Sequence, residues 1–107
     1  MYPRRLKVVF AKGDEAILIQ LGENVYCCPV CGSTEVDLPY SSNGSASYEI
    51  CPDCGIEYGF DDEVSNKKLV DGYTHEKKWQ ELRAQWLAGK EVTETLRERL
   101  LRIGVAL

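Results

Sequence analysis

No lysine or arginine occurs from Glu23 to Glu63 of this 107-residue chain. Phosphate backbones are gripped by cations, so that stretch is excluded as a nucleic-acid surface. It carries nine carboxylates instead, while residues 1–22 hold four basic and two acidic side chains and residues 64–107 hold nine and six. The net charge of −4 therefore hides one acidic segment between two basic ones. Long apolar runs are also missing. No stretch of eighteen apolar residues exists to cross a bilayer as a helix. Near the start, Leu6–Ala11 is too short for a signal sequence and is interrupted by Lys7, so a cytoplasmic protein is expected. Dinucleotide-binding, phosphate-loop, serine-hydrolase and zinc-protease motifs are all absent, and His75 is the only histidine.

What is present is an ordinary globular composition, 44% apolar and 28% charged, which fits one domain over residues 1–107. Five cysteines make an odd number, unsuited to a closed disulfide framework. Four of them form two copies of one device, Cys28-Pro29-Val30-Cys31-Gly32 and Cys51-Pro52-Asp53-Cys54-Gly55. Two cysteines three apart on a tight turn aim both sulfurs at one point. The glycine after the second cysteine admits a positive φ, which turns backbone N–H groups towards the sulfurs. Proline in the second place fixes the turn and removes one donor. Cys28, Cys31, Cys51 and Cys54 are thus the expected ligands of one Zn²⁺. A tetrathiolate site is closed, hence structural rather than catalytic, and the filled site carries roughly two negative charges. Iron in a rubredoxin-like site is the alternative, with Tyr26, Tyr48, Tyr58 and Phe60 as nearby aromatics. Against it, the 19 residues between the knuckles offer a plain hairpin and a Ser/Gly loop.

Around this centre the periodicity predicts an α+β chain. Leu6–Ala11 and Ala16–Leu21 form an N-terminal β-hairpin (residues 1–25), and Val25–Cys27 forms a further strand. Both hairpin strands are apolar on both faces, which predicts burial on two sides or a partner on one. The ribbon (26–63) adds a half-exposed strand pair, Glu35–Leu38 with Ser47–Ile50, around a mobile Ser/Gly/Asn-rich loop. Residues 61–72 are polar and irregular. The helical segment (74–104) begins at Thr74, a cap for a helix over His75 to about Ala88 with Gly89 at its end. Its stripe is Trp79, Leu82, Trp86 and Leu87. A second helix runs from near Thr93 to Ile103, with Gly104 as the stop.

Other residues read as structural. Strand alternation points Cys27 away from Cys28, making it a buried non-ligand. His75 reads as a surface residue and Asp61-Asp62-Glu63 as a solvated acidic turn, since no nucleophile or further ligand accompanies them. Trp79 and Trp86 read as core rather than as a base-stacking platform.

The run Tyr26-x-Cys28-Pro29-Val30-Cys31-Gly32, then Ser47-Tyr48-Glu49-Ile50-Cys51-Pro52-Asp53-Cys54-Gly55, then Tyr58-Gly59-Phe60-Asp61-Asp62 resembles the small bacterial cysteine-rich CPCC-type proteins and related uncharacterised zinc-ribbon proteins. The likeness covers about residues 26–88 and includes a helix with Glu81-Leu82-Arg83-Ala84-Gln85-Trp86. Here the first knuckle has Val30 inside it and carries its extra cysteine, Cys27, outside. The resemblance implies zinc binding and no particular activity.

The expected role is a non-catalytic protein-interaction module, antitoxin- or immunity-like in size and charge, for a basic partner or a second copy of the chain. A nucleic-acid role would fall to Arg97, Arg99 and Arg102 with Lys67, Lys68, Lys77 and Lys78, interrupted by Glu94 and Glu98.

Overall fold

The computed structural model describes residues 1–64 and 72–107, so Lys67 and Lys68 lie outside the described residues. Its architecture is the α+β arrangement expected: a three-stranded antiparallel sheet, a cysteine ribbon and two C-terminal helices.

β1 (Arg4–Val9) pairs with β2 (Glu15–Gly22), from Arg4 opposite Gln20 to Val9 opposite Glu15. The alternating pattern puts Val8, Ala16 and Leu18 in the core. The opposite face stays wetter than two apolar strands suggest, with Val9 and Ile17 exposed beside the Lys7–Glu15 ion pair. β3 (Val25–Tyr26) returns along β2 after a bulge and a turn in which Asn24 adopts φ 61°. The pairing continues to the next residue, Cys27 N–H donating to Ile19 O at 3.0 Å.

The expected strand pair between the knuckles does not form. Val36 pairs with Tyr26, and Ile50 with Glu57, so each knuckle closes its own miniature hairpin. Tyr48 at φ 59° also breaks the extended backbone that the second half of the pair would need. What links the two segments is Asp37 N–H donating to Glu49 Oε1 at 2.9 Å and Ser47 N–H to Pro39 O at 2.9 Å.

Nor is the Ser/Gly/Asn loop a loose one. Tyr40 opposes Ala46 across it, the Ser41 hydroxyl bonds Asn43 Oδ1, and Gly44 N–H bonds Ser41 O at 2.9 Å. Val9 N–H donates to Ser42 O at 2.9 Å, which fastens the loop to β1. A Cβ on Gly44 would stand 2.8 Å from Phe10 Cα, so the close approach requires glycine. The anchor is aromatic: Tyr40 is buried edge-on against Phe10, with ring centroids 5.1 Å apart.

α1 (His75–Leu87) starts where its sequence signals place it. Thr74 caps it by accepting from Lys77 N–H, and Gly89 follows at φ 79°. Its stripe packs Trp79, Leu82 and Trp86 onto a core that also holds Phe10, Leu18, Tyr40 and three of the knuckle cysteines. α2 (Glu94–Leu101) is capped by Thr93 through Leu96 N–H and ends in turns before Gly104. Leu100 is its buried residue.

Candidate metal centre

Both knuckles are built alike. Gly32 N–H bonds Cys28 O at 2.9 Å and Gly55 N–H bonds Cys51 O at 2.8 Å; Cys28 N–H bonds Ser33 O at 2.8 Å and Cys51 N–H bonds Ile56 O at 2.9 Å. Gly32 and Gly55 sit at φ 76° and 78°, as the knuckle turn demands. Facing each other, the turns bring the sulfurs of Cys28, Cys31, Cys51 and Cys54 within 4.8 Å of one another. Cys28 lies 3.8 Å from Cys54, and Cys31 3.6 Å from Cys51. Four sulfurs about 2.3 Å from a central ion form a tetrahedron with edges of about 3.8 Å. These two separations match that figure and the others stay within 4.8 Å, so the four residues are placed to hold a metal ion. Cys28, Cys31 and Cys51 are fully buried and Cys54 is half-buried.

The thiols' protonation is interdependent. Hydrogen bonding from Cys31 holds Cys28 below the usual thiol range, and hydrogen bonding from Cys28 holds Cys51 below it. Cys31 and Cys54 are pushed up, chiefly by hydrogen bonding with Cys28. A cation replacing the shared protons would relieve that competition. Tyr58 supplies a second sign of fit. Its ring is fully buried, and among the described residues its hydroxyl has no other oxygen or nitrogen to bond, leaving only the neighbouring sulfurs. Burial first and the charge of Cys28 second push its pKa up, which keeps the hydroxyl a neutral donor beside the thiolates.

Behind the centre lies a clamp that the sequence reading did not contain. Turning the N–H groups of a knuckle inward turns its carbonyls outward, and buried carbonyls need donors. Arg83 of α1 donates through Nη2 to Pro29 O at 2.7 Å and through Nε to Val30 O at 2.8 Å. Arg99 of α2 donates through Nε to Cys31 O at 3.0 Å, and its Nη1 lies 3.9 Å from Asp53 of the second knuckle. Three consecutive carbonyls are thus held by two cations, which also oppose the negative charge of the thiolates. Burial pulls the Arg83 pKa down, and the nearby Cys28 and Cys31 charges push it back. One signal could have found this residue: Arg83 follows Trp79 by four and precedes Trp86 by three, an inward position on α1. Arg99, offered above for phosphate contact, is turned inward and lies over the Trp86 ring at 5.1 Å.

Cys27 is buried outside the four-sulfur group, as strand alternation implied, and burial raises its pKa while Arg102 lowers it. His75 is not a surface residue. Its ring stacks on Phe10 at 3.7 Å, and its Nδ1 meets Asp14 Oδ2 at 2.7 Å. The same carboxylate oxygen accepts from His75 N–H at 2.9 Å, tying the β1–β2 turn to the start of α1. The acidic turn needs a similar correction. Asp61 and Glu63 are exposed, but Asp62 is fully buried. It accepts from the Tyr40 hydroxyl, from Trp79 Nε1 at 2.8 Å and from Gly59 N–H at 2.7 Å. Burial and the Asp62 charge in turn push the Tyr40 pKa up, which keeps its hydroxyl proton on that bond. Trp79 is core, and Trp86 packs at the core's edge.

Among the described residues no helix is long and apolar enough to cross a membrane. No protein-family model, curated protein or solved structure matches the chain.

Proposed function

We propose that this chain is a small protein-interaction module whose fold is held by one zinc ion on Cys28, Cys31, Cys51 and Cys54, with no reaction centre of its own. The observation that carries the reading is the pairing of a closed four-thiolate site with an exposed apolar lobe on the second knuckle. Four protein ligands fill a tetrahedral ion, which then supplies cross-linking rather than Lewis-acid chemistry. Zinc is favoured over iron because an ion that serves only as a cross-link needs no redox chemistry, and the Ser/Gly segment between the knuckles is unlike that of a rubredoxin.

The lobe is a different matter from the buried centre. Tyr48, Ile50 and Phe60 are 64%, 58% and 67% exposed, although each could cover a core. Tyr48 is held at φ 59° with its ring laid on Gly59, where a Cβ would meet ring atoms at 2.8 Å. A strained, exposed aromatic is a costly thing to keep, and such features gather at binding sites. Glu49, Glu57, Asp61 and Glu63 share this stretch without a single lysine or arginine. Together these features favour a partner segment with apolar anchors and flanking cations.

Two measurements test the reading. Native mass spectrometry of the purified chain is expected to show one zinc, and a red iron-thiolate spectrum would instead make it an electron carrier. A photo-crosslinking residue at Phe60 is expected to capture a basic protein in the native host, while the same residue at Lys90 does not. Equal labelling from both positions would remove the interaction surface.

A further inference from the structure

A cleft of about 540 Å³ opens on another part of the molecule, between the sheet, α1 and the segment that follows α2. Its size falls within the range of small-molecule sites, about 300–1,000 Å³. Ile17, Ile19, Trp79 and Ile103 are among the apolar residues that line it. Among the described residues its charged lining is strongly one-sided: Arg5 from β1, Arg83 from α1 and Arg102 after α2, against Glu76. Three arginines from distant parts of the sequence thus line one cleft, and like charges gathered there favour an anion.

Those three cations are not equivalent. Arg83 is fixed by its bonds to Pro29 O and Val30 O, and part of its charge answers the thiolates behind it. Arg5 and Arg102 are exposed and have no ion-pair partner among the described residues. The end of α2 would normally oppose an anion through its free carbonyls. Here Ile103 N–H and Val105 N–H both take Leu100 O, and Gly104 N–H takes Leu101 O, so the last two carbonyls of the helix are satisfied. Gln80 adds a neutral amide to the lining.

We propose that this cleft binds a small organic anion, a carboxylate or phosphate head held by Arg5 and Arg102 with an apolar body laid on Ile17, Ile19 and Ile103. Guanidinium groups match the planar or bidentate oxygens of either head. The site shares no residue with the Tyr48–Phe60 lobe, so either can fail without the other.

The test uses the full metal-loaded chain and three probes of one shape: phenyl phosphate, benzoate and the neutral benzyl alcohol. Amide resonances of Ile17, Gln80 and Gly104 are followed by NMR during titration. Phenyl phosphate is expected to bind with a Kd of about 1 mM or tighter, benzoate more weakly, and benzyl alcohol not at all. If only the phosphate binds, the head is a phosphate; if both anions bind, either head serves. The double variant Arg5→Gln/Arg102→Gln, whose side chains lie outside the core, is expected to keep the amide spectrum of the fold and weaken binding by about ten-fold or more. Absence of shifts with both anions, equal binding of benzyl alcohol, or unchanged affinity in the double variant would overturn the proposal.

Discussion

Asp62 is the residue on which the ribbon and the first helix meet. Its carboxylate is fully buried and gathers three donors, the Tyr40 hydroxyl, Trp79 Nε1 and Gly59 N–H. No single-residue signal separates it from Asp61 and Glu63 on either side. All three read as a solvated turn, and only the approach of Tyr40 and Trp79 from elsewhere in the chain decides which one is buried. Asp62→Ala would leave those donors without an acceptor inside the core. Unpaired buried groups cost about 1–3 kcal/mol each, more when the missing partner was charged. A loss on the order of 3–5 kcal/mol is expected, read as a lower urea midpoint at unchanged slope. Asp61→Ala, by contrast, removes among the described residues the acceptor for Glu57 N–H at an exposed site, 2.8 Å away, and should cost under about 1 kcal/mol. Equal losses in the two variants would mean that Asp62 is not a buried hub.

At the scale of elements, the two knuckles share one sequence pattern but face different surroundings. A Cβ built on Gly32 would stand 2.4 Å from Arg99 O, against the backbone of α2, whereas one on Gly55 meets none of the described residues within 4 Å. Both positions carry the same positive φ, for which a side chain costs roughly 1–2 kcal/mol. Gly55→Ala is therefore expected to lose about that much. Gly32→Ala should lose at least about 2 kcal/mol more, because α2 must retreat and the Arg99 bond to Cys31 O with it. Thermal melts of the two metal-loaded variants decide this, and matching melting temperatures would show that α2 does not press on the first knuckle. The contrast also marks where sequence reading stops. The helices were legible because Thr74, Thr93, Gly89 and Gly104 are local signals, and the four ligands because their spacing is local too. The pairing of Val36 with Tyr26 was not legible, because alternation in Glu35–Leu38 reports an exposed edge without naming its neighbour. Arg83 and Arg99 likewise stand among charged surface residues, and their inward bonds depend on helix placement that no window of sequence contains.

The whole molecule has a core that runs without a break from the sheet to the cysteines. Val8, Phe10 and Leu18 belong to the same cluster as Cys28, Cys31 and Cys51, and Trp79 of α1 joins them. Arg83 and Arg99 fasten both helices to the carbonyls of the first knuckle. A ribbon held only by its ion could come apart while the sheet and α1 remained docked. The continuity of packing argues against that. Without the ion, the four thiols are left with shared protons, the knuckles lose their mutual attachment, and the clamp no longer has a fixed target. Structural zinc sites supply on the order of 10–16 kcal/mol of apparent binding energy, comparable to or larger than the whole stability of an ordinary domain. Chelation, or Cys51→Ser, is therefore expected to abolish the tertiary structure of the described sheet and helices together with that of the ribbon. The check is a titration with a strong chelator under reducing conditions, followed at once by near-UV circular dichroism of the packed aromatics and by the far-UV helical signal. One shared transition is the expected outcome. A near-UV signal that survives metal removal would show that the sheet and α1 hold their packing alone, and the metal would then matter for the ribbon only.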